Sequence, residues 1–235
     1  MNIETGNNKL FSRIGEFVFE QKCVPWRIYT QYCKLRNIIF NINTKEHWDS
    51  VWKTEQDTPN WYRFYPEAFS KICSLIETGT NVLDIGCGLG ILLEKLKNEK
   101  KCAVQGIDIS QTAIIKVKEK GLSGMVAKVP PIPLPSNTFD TVIATELLEH
   151  IANPVELVRE MIRIIKPGGS IIVTVPNNAL YPHTERDHVR VFNQDTLSML
   201  FRKFESIKTV ELFVAKEKDE KFTRIILRAK KCSSV

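Results

Sequence analysis

At 235 residues the chain has room for one large domain, or for one domain with an N-terminal extension, and it can bury a full sheet between helices. Its 43% hydrophobic and 26% charged residues exclude intrinsic disorder, and a net charge of +6 spread among acids permits nucleic acid or an anionic membrane without indicating either. No apolar run reaches the roughly 18 residues of a membrane span, Met1 to Thr5 do not open a signal peptide, and Cys23, Cys33, Cys73, Cys87, Cys102 and Cys232 form neither a C-x-x-C pair nor a zinc-type spacing. These features predict a cytoplasmic protein with reduced thiols and no metal site.

The first 45 residues mix Lys9, Arg13, Lys22, Arg27, Lys34 and Arg36 with Phe11, Phe17, Phe19, Trp26, Tyr29 and Phe40. Such a mixture suits a cover for a site, a contact with a membrane surface, or a partner. Periodicity changes near Asn43, so residues 1–45 are read as an N-terminal helical extension or lid, and residues 46–235 as the main domain. Trp48, Trp52, Trp61, Tyr62 and Phe64 form an aromatic group that could cover the same site. Ala68, Phe69, Ile72, Leu75 and Ile76 then recur at helical spacing across Glu67 to Ile76.

From there strand and helix alternate. Strands are predicted at Asn81 to Ile85, Ala103 to Ile107, Gly124 to Lys128, Phe139 to Thr145 and Ser170 to Val175. Helices are predicted at Leu89 to Asn98, Ser110 to Lys120 and Pro154 to Ile165, with Ser110 as an N-cap. Pro130, Pro131, Pro133 and Pro135 force an extended loop, and Lys166-Pro167-Gly168-Gly169 reads as a turn. After a helix at about Asn193 to Lys203, the β-rich runs Ile207 to Val214 and Phe222 to Ala229 look like a hairpin. The layout is α/β: a doubly wound, mostly parallel seven-stranded sheet with a C-terminal antiparallel hairpin, ligands lying at the strands' C-terminal ends.

The strongest motif is Val82-Leu83-Asp84-Ile85-Gly86-Cys87-Gly88-Leu89-Gly90. Glycines between a strand and a helix let backbone approach a ligand and offer amide donors at a helix N-terminus. A dinucleotide fingerprint needs a glycine at position 91, where this chain has Ile91. Asp108, about twenty residues after Gly88, stands where a carboxylate accepts the hydroxyls of a ribose.

The runs VLDIGCGLGILLEKL, GIDIS, LPSNTFDTVIATELLEHIANP and IIKPGGSIIVTVPN together resemble, in order and spacing, the motifs of class I S-adenosylmethionine-dependent methyltransferases, closest to the small-molecule branch of ubiquinone- and menaquinone-type enzymes. The resemblance spans Val82 to Asn177. It implies a Rossmann-like methyltransferase fold and S-adenosylmethionine as cofactor, with Gly86, Cys87, Gly88 and Gly90 around its methionine and sugar. Asp84 would orient that loop or the cofactor's amino group, Asp108 would hold the ribose, and Ile109 would lie against the adenine. Thr145 and Val129 would contribute backbone contacts, and Arg63 would bind the cofactor carboxylate. Relatives carry an acid near Lys128 for the adenine amino group, and lysine cannot accept that bond.

Methyl transfer to an O, N or C atom of a small-molecule acceptor is the implied reaction, with His150 and His188 as candidate bases. Tyr181, His183, Glu185 and Asp187 share the loop of His188, and Arg190 and Phe192 are placed near the acceptor. His47 is read as structural or surface. Two other readings stay open: a non-catalytic S-adenosylmethionine-binding regulator or inactive partner subunit, motivated by Lys128, and an NAD-dependent oxidoreductase, opposed by Ile91 and the hairpin.

Overall fold

The computed structural model describes residues 43–54, 65–177, 187–216 and 223–233. Helix α1 runs Lys45–Thr54 and α2 Pro66–Ser74, followed by β1 Asn81–Ile85, α3 Ile91–Lys100, β2 Ala103–Asp108, α4 Gln111–Glu119 and β3 Ser123–Val126. Then come β4 Phe139–Thr145, a 3-10 turn Leu148–His150, α5 Pro154–Ile164, β5 Ile165–Pro176, α6 Gln194–Arg202, β6 Ile207–Lys216 and β7 Thr223–Lys231.

The strands form one seven-stranded sheet in the order β3-β2-β1-β4-β5-β7-β6. β1 to β5 pair in parallel, and β7 runs antiparallel between β5 and β6. The expected closing hairpin is therefore present, with its second strand inserted next to β5. β1 pairs with both β2 and β4, so the order of strands reverses there; a sheet of this kind opens a crevice at the C-terminal ends of those strands.

Side chains alternate across a strand, and both faces of this sheet are covered. Leu83 and Ile85 of β1 join Leu157, Val158 and Met161 of α5 in one core, while Val82 joins Ile72 of α2 and Leu92 and Leu96 of α3 in the other. β5 divides the same way, Ile171, Val173 and Val175 against Ile172. This explains the near-continuous apolar run of β4, where Val142, Ile143 and Ala144 are all fully buried.

Of the predicted boundaries that differ, two have a clear physical cause. α3 begins at Ile91, because Gly86, Gly88 and Gly90 all hold positive φ and extend the turn. The Lys166–Gly169 turn lies within β5: pairing with β4 jumps from Phe139↔Ile165 to Thr141↔Ser170, the extra residues bulge, and Gly168 N donates to the Cys232 carbonyl at 3.1 Å. Ser110 caps α4 as predicted, accepting from Ala113 N at 3.2 Å. Asn193 and Thr196 form a capping box on α6. Among the described residues no helix is long and apolar enough to cross a membrane, and Cys73, Cys87, Cys102 and Cys232 are free thiols.

Candidate functional site

β1 ends at Ile85 and the chain turns over Gly86 to Gly90 before α3. Gly88 has φ +50°, and a Cβ there would lie 2.7 Å from the Trp52 ring. Gly90 has φ +72°, and its Cβ would meet Val117 at 2.9 Å. Side chains are excluded at both positions, by backbone conformation and by space. Gly86 N and Cys87 N donate to the Ile107 carbonyl at 2.7 and 3.1 Å, which ties the loop to β2.

Asp108, the last residue of β2, organises the loop. Its Oδ2 accepts from Gly88 N at 2.9 Å and its Oδ1 from Ser110 N at 2.8 Å. Burial pushes its carboxyl up to about 6, against the pull of those amides. Asp84 is fully buried, its oxygens meet no hydrogen-bond partner among the described residues, and burial with Asp108 nearby pushes it to about 8.

A cavity of about 710 Å³ opens at the C-terminal ends of β1, β2 and β4. Gly86, Cys87, Gly88, Asp108, Ile109, Val129, Thr145, His150 and His188 all line it. Asp84 and Gly90 do not form its wall, and Arg63 lies outside the described residues, as do Trp61, Tyr62, Phe64, Tyr181, His183 and Glu185. Lys128 lines the cavity beside Val129. Arg190 and Phe192 turn away from it: Arg190 Nε donates to the Ile151 and Ala152 carbonyls, both at 3.1 Å, and Phe192 is in the core.

α1 forms another wall, through Trp48, Val51 and Trp52. Asp49 fixes this helix, its Oδ1 accepting from Ser110 Oγ at 2.5 Å and from Thr112 N at 2.9 Å at the start of α4. Burial opposes the Asp49 charge, but Lys45, Ser110 and Thr112 outweigh it and hold the carboxyl well below the usual range.

Toward β4 and β5 the chemistry changes. Glu149, His150 and His188 each offer a donor atom, and these atoms lie within 4.8 Å of one another. The His150 and His188 rings meet edge to face at 4.9 Å, and Trp48 packs on His150 at 5.1 Å. His150 Nδ1 is 3.1 Å from the Asp187 carbonyl, which can only accept, so Nδ1 carries the proton and Nε2 the lone pair. Burial depresses the His150 imidazole below its ordinary value, outweighing the opposing pull of Asp187.

Beside this cluster sit two residues that the sequence reading missed. Arg224 of β7 stacks on Tyr65 at 3.8 Å and pairs with Glu146, its Nε 2.6 Å from Oε2. Glu146 also accepts from Thr174 Oγ1 at 2.9 Å, and its backbone has φ +49°. Glu146 was visible as an acid just past β4; Arg224 becomes a cavity residue only because β7 inserts beside β5.

Residues 83–173 match the family model described as a methyltransferase domain. Over 115 residues the chain is 30% identical to the mitochondrial ubiquinone biosynthesis O-methyltransferase of Dictyostelium discoideum, covering 42% of this chain and 36% of that protein. The chain spans between about a third and a half of the length of the curated relatives it matches. In fold it resembles a Haloferax volcanii chain solved with the Trm112 methyltransferase activator, with a TM-score of 0.69 and 18% identity over 79% of this chain and 97% of that one. It also resembles a SAM-dependent methyltransferase of Aquifex aeolicus, with a TM-score of 0.59 and 22% identity over 78% and 98%.

Proposed function

We propose that the chain, whose residues 83–173 match a methyltransferase domain, transfers a methyl group from S-adenosylmethionine to a hydroxyl oxygen of a small-molecule acceptor. The observation that carries this reading is one cavity of about 710 Å³ lined both by the glycine loop and Asp108 and by Glu149, His150 and His188. Its size falls within the several-hundred-Å³ range of clefts that enclose small ligands.

The residues present suit the cofactor. A loop whose glycines exclude side chains leads into the N-terminus of α3, where backbone amides favour a carboxylate. An ionised carboxylate has about four acceptor sites, and at Asp108 the Gly88, Ser110 and Ile109 amides take up part of them, leaving acceptor capacity for a ribose hydroxyl. Ile109 and Val129 supply apolar surface for the adenine, and Trp52 over Gly88 keeps water from the loop.

S-adenosylmethionine brings a methyl group already activated on a sulfonium. The protein's part is alignment and exclusion of water, together with removal of the proton that a hydroxyl must shed. That proton leaves where Glu149, His150 and His188 line the cavity. Glu146 is neutralised by Arg224 and so does not repel an acceptor oxygen gaining negative charge.

Titration calorimetry of S-adenosylmethionine and S-adenosylhomocysteine, with NAD as control and Asp108→Ala alongside, tests the cofactor half. Micromolar binding of both sulfur ligands, lost in the variant and absent for NAD, is expected; binding of NAD alone overturns the reading. Methyl transfer from labelled cofactor to a panel of phenols, alcohols, amines and activated carbons tests the other half. Labelling only of amines or carbons would refute the hydroxyl assignment.

A further inference from the structure

Where the cavity wall runs along the end of β2 and the segment after β3, Asp108 and Lys128 are the two side chains that carry hydrogen-bonding groups. Around them Ile109, Ala127, Val129 and Pro130 present apolar surface. Val126 pairs with Asp108 in the sheet, and Ala127 N donates to the Asp108 carbonyl at 2.9 Å. The segment carrying Lys128 is thereby fixed against the residue that the cofactor reading assigns to the ribose, and a base carried by that ribose meets this wall. Ala127 and Val129 pack on the core, whereas Lys128 between them is exposed and lines the cavity, with no hydrogen bond or ion pair among the described residues.

An ammonium has three donors and no acceptor. It serves a ring nitrogen of adenine but offers nothing to the 6-amino group, which is itself a donor. A purine with oxygen at position 6 presents that oxygen beside N7 as two neighbouring acceptors, the pair that lysine reads on guanine. The apolar neighbours of Lys128 supply no side-chain acceptor that would favour the amino group instead.

We propose that Lys128 sets the base specificity of the cofactor site, and that the cavity takes a 6-oxopurine cofactor at least as tightly as the adenine one. S-inosylhomocysteine is the demethylated form of such a ligand. The inference rests on the cofactor reading and adds a ligand class to it. The adenosyl ligand still binds, through the glycine loop, Asp108 and the apolar wall; what Lys128 removes is the preference for an amino group at position 6.

Calorimetry of S-adenosylhomocysteine and S-inosylhomocysteine on the full chain reads the ratio of their dissociation constants in the parent, Lys128→Met and Lys128→Glu. Methionine keeps an apolar stem without donors, and glutamate accepts from the amino group while repelling the 6-oxygen. The parent is expected to bind the inosyl ligand no more weakly than the adenosyl one. Lys128→Met should shift the ratio about tenfold toward the adenosyl ligand, and Lys128→Glu should shift it further. Because Lys128 is exposed, both variants are expected to fold, and retained S-adenosylhomocysteine binding shows that they do. Weaker binding of the inosyl ligand by the parent, or a ratio unchanged across the variants as for a merely solvated lysine, would overturn the proposal and leave the cofactor reading standing. Binding of neither ligand by the parent defeats the cofactor reading, and the base specificity with it.

Discussion

Asp108 joins loop, strand and ligand in one carboxylate, and its ionisation decides whether its remaining acceptor capacity is available. Hydrogen bonds to a charged group contribute about 1.5–3 kcal/mol each. Asp108→Ala, which also frees the Gly88 and Ser110 amides, is expected to weaken S-adenosylhomocysteine binding at least thirtyfold, read by calorimetry. Because burial holds the carboxyl up at about 6, parent-chain affinity should be full above pH 7 and fall as pH drops below 6. An affinity flat from pH 5 to 8 would remove Asp108 from the ribose contact. The Arg224–Glu146 pair supports a second expectation. Removing one partner of a mostly buried pair strands the other charge, at about 3 kcal/mol. Arg224→Met should lower the melting temperature by roughly 6–12 °C, and adding Glu146→Gln should recover most of that loss; additive losses would mean that the pair is not coupled.

α1 shows what can be read from a local pattern and what cannot. The sequence suggests an aromatic cover from Trp48 and Trp52, and both line the cavity. It does not show that Asp49 is the pin, because Asp49 acts through Ser110 and Thr112, far along the chain. Asp49→Ala removes a carboxylate at the start of α4, a change of about 1 kcal/mol for a lost cap, and also releases α1. A several-fold faster dissociation of S-adenosylhomocysteine is expected by stopped flow, with the melting temperature reduced only by a few degrees; an unchanged off-rate would mean that α1 does not cover the cofactor. The strands were legible because burial on both faces writes uninterrupted apolar runs such as Val142 to Ala144. The start of α3 was not, because positive φ at Gly90 is a matter of backbone rather than hydrophobicity. The glycine loop and Asp108 were legible by position. Arg224 was not, since only the pairing of β7 with β5 brings it to the cavity.

Across the whole molecule, burial of acids beside the site sets how stability responds to pH. Asp84 is raised to about 8 and Asp108 to about 6, both from an aspartate's ordinary 3.8. A raised carboxyl binds its proton more tightly in the folded chain than in the unfolded one. Its contribution is fully present below the unfolded value and is lost as pH rises through the folded value. For Asp84 that window extends from about 4 to about 8, and for Asp108 from about 4 to about 6. The parent chain should therefore melt at a higher temperature near pH 6 than near pH 8.5, because ionising Asp84 places a bare charge in the sheet next to Asp108. Asp84→Asn cannot ionise, so its melting temperature should exceed that of the parent at pH 8.5, by a margin that narrows as pH falls and closes near pH 4, with differential scanning calorimetry as the readout. Equal melting temperatures for parent and variant at pH 8.5 would mean that Asp84 is partnered or hydrated when charged, and the cost of an uncompensated acid behind the glycine loop would have to be withdrawn.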